Sequence, residues 1–103
     1  MYEGQWDNWK DVQNSFNMTE KEPSEVYLAW YDVDGYSGSA IVAFRQGRKY
    51  GIATGSHCSC HGLSEPGWDP EFYDKRTFKK LLKDRTPYRL PDTIVHEMMK
   101  KIG

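Results

Sequence analysis

The run Glu25–Val33 constrains this chain more than any other stretch. It is rich in β-formers, and both of its alternating sets are apolar: Val26, Leu28 and Trp30 on one face, Tyr27, Ala29, Tyr31 and Val33 on the other. A strand with one wet face alternates apolar and polar residues, whereas this pattern calls for cover on both sides. Asp34-Gly35-Tyr36-Ser37-Gly38 follows with residues that tolerate positive φ, and the apolar pattern resumes over Ser39–Phe44, which predicts a hairpin. Arg45-Gln46-Gly47-Arg48 reads as a second turn. Lys49–Thr54 reads as a third strand, with Tyr50, Ile52 and Thr54 on a shared face.

The flanks carry helical spacing. Trp6, Trp9, Val12 or Gln13, and Phe16 recur at three- and four-residue steps, predicting an amphipathic helix over about 5–16 whose tryptophans are core anchors. Residues 17–24, with Pro23, form a connecting loop. Residues 55–73 have no periodicity and contain Gly62, Pro66, Gly67 and Pro70, so they read as one long loop, tied down by Leu63, Trp68, Phe72 and Tyr73. Asp74 is placed to cap a basic helix over about 75–85, with Phe78, Leu81 and Leu82 on its apolar edge. After a linker at 86–91, Pro91 fits the first turn of a last helix over about 91–102, where Val95, Met98, Met99 and Ile102 share a stripe. The expected fold class is α+β: a three-stranded antiparallel meander with one N-terminal and two C-terminal helices packed on it, in a single domain over residues 1–103.

Composition narrows the setting. No apolar run reaches the roughly 18 residues that a membrane span needs, and Met1-Tyr2-Glu3-Gly4 has no basic n-region or apolar h-region, so a cytoplasmic protein without a membrane partner is expected. The two cysteines, Cys58 and Cys60, are separated by a single residue and close too small a ring to staple a fold. Formal net charge is only −1, but residues 1–39 carry a balance of −6 and residues 75–103 a balance of +6. Such halves either fold against each other or present two faces to partners, a second copy of the chain among them.

The densest chemistry lies in Gly55-Ser56-His57-Cys58-Ser59-Cys60-His61-Gly62. His57, Cys58 and Cys60 are donors that zinc accepts, and zinc is the one cofactor this segment brings into view. Structural zinc sites space paired cysteines by two to four residues, however, so a Cys-x-Cys arm needs a ligand from elsewhere, such as His96. A thiol activated by a neighbouring imidazole is the second chemical reading, and no third orienting group is identifiable for it. The simplest reading is structural: Gly55 and Gly62 turn the chain tightly, the thiols are small apolar groups, and the loop so shaped meets a partner. No catalytic residue is assigned on that reading.

Two lesser signals remain. Asp32-Val33-Asp34-Gly35 is a fragment of a calcium-loop pattern that lacks the third acid and the distal Glu, and a hairpin turn explains it better. Lys75, Arg76, Lys79, Lys80 and Lys83 could follow a phosphate backbone, which makes nucleic-acid binding through the basic helix an alternative to a merely solvated face.

Tyr36-Ser37-Gly38 and the strand after it, then Gly55–Leu63 and Trp68-Asp69-Pro70-Glu71, resemble a set of small bacteriophage and prophage proteins that carry a Gly-Ser-His-Cys-Ser-Cys-aromatic-Gly segment and a Trp-x-Pro-Glu step. The similarity covers about residues 26–82. It departs at His61, where the pattern has an aromatic residue that could not hold a metal. The resemblance brings no activity with it and implies a setting: an accessory protein in an infected bacterial host that binds and inhibits a host or antiphage-defence protein. The contact surface expected on this reading is the hairpin tip at 34–38 with the loop 55–73, and the partner-binding residues are Tyr36, His57, Cys58, Cys60, His61 and Trp68, aromatics leading because they carry disproportionate interface energy.

Overall fold

In a computed structural model, the described residues are 1–34, 37–58, 67–85 and 91–103, with only the backbone of Asp34, His57, Cys58 and Arg85. Five strands and three helices follow in the order β1 (Tyr2–Gly4), α1 (Trp9–Phe16), β2 (Glu25–Asp34), β3 (Ser37–Gln46), β4 (Lys49–Cys58), β5 (Glu71–Tyr73), α2 (Lys75–Arg85) and α3 (Asp92–Ile102). The strands form one sheet in the order β1-β2-β3-β4-β5. β1 runs parallel to β2, and every other neighbouring pair is antiparallel.

This corrects the expected three-stranded antiparallel meander, because the sheet is five-stranded and mixed. The two added strands are three residues long, too short for any alternation to register in sequence. β1 is held by its backbone: Ala29 N–H donates to the Met1 carbonyl at 2.8 Å and Gln5 N–H to the Tyr31 carbonyl at 2.8 Å. A parallel neighbour needs a crossover of a dozen or more residues, and the α1 segment supplies it. β5 pairs with β4 through Tyr50 opposite Tyr73, Gly51 opposite Phe72 and Ile52 opposite Glu71. The loop expected over 55–73 is therefore bounded by structure at both ends, since β4 continues to Cys58.

α1 starts at Trp9, not near residue 5, because Asn8 is its N-cap: extended at φ −160°, it accepts the Asp11 N–H at 3.0 Å, while Asp11 Oδ2 accepts the Asp7 N–H at 2.9 Å. Asn17, left-handed at φ 53°, ends it. In β2 the register slips between Val26, opposite Phe44, and Leu28, opposite Ala43, so Tyr27 is the extra residue of a bulge. The bulge turns Tyr27 onto the side of Leu28 and Trp30.

Both faces of the sheet are covered. Trp6, Trp9, Val12 and Phe16 bury Ala29, Ala40, Val42, Phe44 and Ala53 on one face. Phe78, Leu82, Met98 and Ile102 bury Tyr27, Leu28, Trp30, Ile41, Ala43 and Ile52 on the other. Phe78 seats α2 against Tyr50 and Tyr27, with ring centroids 5.1 and 5.9 Å away. Burying a side chain of that size contributes about 1.5–3 kcal/mol.

Candidate functional site

Register brings the hairpin and the first residues of the 55–73 segment to one end of the sheet, whereas Trp68 and β5 lie towards the other end, beside Phe44 and Gly51. Asp34 pairs with Ser37 across the hairpin, and Ser37 and Gly38 pair in turn with Cys58 and His57. Val33 is 43% exposed at this end. Tyr36, Cys60 and His61 lie outside the described residues, as do the side chains of His57 and Cys58. Among the described residues no group of three or more His, Cys, Asp or Glu gathers to hold a metal, and His96 is exposed on α3.

Trp68 is the site residue whose side chain can be followed, and it lies on the α1 face. It stacks on Phe44 with centroids 5.8 Å apart and 26° between planes, and meets Phe16 and Trp9 edge-on at 5.3 and 5.7 Å. Phe44 in turn meets Phe72 at 5.9 Å and 89°. Phe72 is 43% exposed, and Lys49 Nζ stands 5.9 Å from its ring centroid. Trp68, Pro70 and Phe72 line a groove of about 260 Å³ together with Trp9, Pro23, Phe44, Glu20, Lys21 and Gln46. The wall at Glu20 is fixed to α1, because the Glu20 carbonyl accepts from Trp9 Nε1 and from Gln13 Nε2, both at 2.8 Å.

Of the groove residues, Trp68 is among those expected to meet a partner, and Trp9, Pro70 and Phe72 are not. A signal was present: Trp68, Pro70 and Phe72 recur at every second position, which in extended chain puts them on one side. What the groove offers a ligand is aromatic and proline surface edged by two opposite charges.

The other face carries the cations. Lys75, Arg76, Lys79, Lys80 and Lys83 line a second concavity of about 570 Å³ with Gly103. Among the described residues none of these five side chains forms an ion pair with an Asp or Glu. The acids on and around α1 and the cations of α2 thus sit on opposite faces of the sheet instead of neutralising each other. Asp74 caps α2 by accepting the Thr77 N–H at 2.7 Å, and this bond, from the backbone first, holds its carboxyl below the usual range.

Comparison with protein-family models, with curated proteins and with solved structures finds no match to this chain. By fold it is an α+β domain whose mixed five-stranded sheet is covered on both faces. None of its described helices is long and apolar enough to cross a membrane.

Proposed function

We propose that this chain is a small phage-type accessory protein that acts without catalysis, by holding an extended segment of a bacterial host or defence protein in the aromatic groove of its α1 face. The observation that carries this reading is the joint placement of Trp68, Pro70 and Phe72 along one groove wall. All three belong to the segment that resembles the phage proteins. Large, rigid aromatic side chains at the mouth of a small concavity are the residue types that dominate binding energy at protein interfaces. Phe72 adds an apolar surface that folding leaves 43% uncovered.

The occupant that fits is a short extended stretch with an aliphatic or proline side chain. A groove of about 260 Å³ takes few side chains, and its walls already include Pro23 and Pro70. Affinity capture from bacterial lysate with the wild-type chain and with Phe72→Ala, read side by side, tests this. A protein retained by the wild type and lost with Phe72→Ala supports the groove. A partner retained equally by both overturns it.

A further inference from the structure

A run of lysines on a helix is usually its wet face, and three observations lift α2 above that. The cations Lys75, Arg76, Lys79, Lys80 and Lys83 line a concavity of about 570 Å³ instead of a convex ridge, no Asp or Glu is among its described lining residues, and none of the five is ion-paired to an Asp or Glu among the described residues. The sixth lining residue, Gly103, is the C-cap of α3. Lys79 Nζ donates to the Gly103 carbonyl at 2.9 Å, and a Cβ placed on Gly103 would stand 3.4 Å from Lys75 Nζ. The negative end of the α3 dipole would repel an anion entering the site, and Lys75 and Lys79 neutralise it. Arg76, Lys80 and Lys83 are then left exposed to meet a ligand.

We infer that this face of α2 binds the phosphate backbone of a nucleic-acid duplex, without reading its sequence. Arg76, Lys80 and Lys83 stand at i, i+4 and i+7, a span of about 10 Å along the helix, over which a duplex presents about six phosphate charges. Among the described residues the lining has no aromatic side chain, so these residues offer no platform on which the bases of a single strand would stack. Nor do the described lining residues include an Asn, Gln or Ser to read base edges, and side chains that are all cationic position a backbone. The site is independent of the aromatic groove, which opens on the opposite face of the sheet.

The test is fluorescence anisotropy of a short labelled DNA duplex titrated with the full chain across a salt series. Three phosphate contacts give a slope of log K against log salt of about −2.7, so affinity falls about 40-fold between about 50 and 200 mM salt. Replacing the three free cations together, Arg76→Gln, Lys80→Gln and Lys83→Gln, lowers affinity at least about tenfold at low salt and flattens the slope. If that triple variant loses helix by circular dichroism, the single variants Arg76→Gln and Lys83→Gln carry the test, each reducing the slope by about 1. Lys10→Gln with Lys21→Gln, on the other face, leaves binding unchanged. No binding at low salt, equal binding by the α2 variants, equal loss with the Lys10 and Lys21 pair, or tighter binding of a single strand of the same length would each overturn the inference.

Discussion

Phe44 stands directly across the β3–β4 ladder from Gly51, and its ring fills the place of the side chain that Gly51 lacks. A Cβ built on Gly51 would approach Phe44 Cζ to 2.5 Å and Cε2 to 2.8 Å. The ring has little room to retreat, being 1% exposed and held by Trp68 and Phe72. Gly51→Ala is therefore expected to destabilise the fold by about 1–3 kcal/mol, as overpacking does in a dense core. Urea unfolding measures it. In a Phe44→Leu background the same substitution has a smaller effect, and equal costs in both backgrounds would mean that the ring is not what Gly51 accommodates.

Trp68 and Phe72 share Phe44 as a neighbour but differ in what they support. Trp68 packs on three buried rings, so Trp68→Ala is expected to cost about 2–4 kcal/mol, somewhat less than a fully buried tryptophan because its outer edge lines the groove. Phe72 is 43% exposed, and Phe72→Ala is expected to cost under about 1 kcal/mol. Thermal or urea unfolding of the two variants ranks them. The reverse order would move the anchor of the groove from Trp68 to Phe72.

Long elements with a repeating apolar pattern were legible in this chain. The pairing of β2 with β3, the span of α2 and its Asp74 cap, and the burial of Trp6 and Trp9 all follow from side-chain periodicity or cap chemistry that sequence displays. What escaped was carried by backbone. β1 is recruited by hydrogen bonds from Ala29 and Gln5, and the extension of β4 through Gly55-Ser56-His57-Cys58 rests on ladder bonds to β3, neither of which leaves an apolar signature. The start of α1 was misplaced because Trp6 continues the helical stripe, although Asn8 is already its cap. Tyr27 breaks the alternation of β2 because a bulge is a backbone event. For the site, Trp68 was visible as an aromatic in a loop. Its part in a groove was not, since Trp9, Pro23 and Phe44 come from distant sequence.

The Cys-x-Cys spacing yields a prediction of its own. Cys58 and Cys60 are separated by one residue, whereas structural zinc sites space paired cysteines by two to four. Protein purified without a metal-affinity tag is expected to carry less than stoichiometric zinc by elemental analysis. Cys58→Ser with Cys60→Ser is expected to leave partner capture unchanged. One zinc per chain, lost in that double variant together with capture, would reinstate His57, Cys58 and Cys60 as a metal site.

Asp74 gives the fold a defined acid dependence. Its carboxylate accepts the Thr77 N–H at the start of α2, and that bond depresses its pKa in the folded chain relative to the unfolded one. For a group shifted this way the stabilisation is fully present above the unfolded value, about 3.9, and is lost as pH falls through the lower folded value. Asp74→Asn keeps an oxygen acceptor for the cap while removing the titration, and Asp74→Ala removes both. At neutral pH the expected order of stability is wild type, then Asp74→Asn, then Asp74→Ala, because the N-terminus of a helix also favours negative charge. As pH is lowered below about 4, the urea midpoint of the wild type should fall towards that of Asp74→Asn, which does not titrate at this position. A gap between those two that stays constant across the acid range would show that the Thr77 bond does not couple folding to the Asp74 proton.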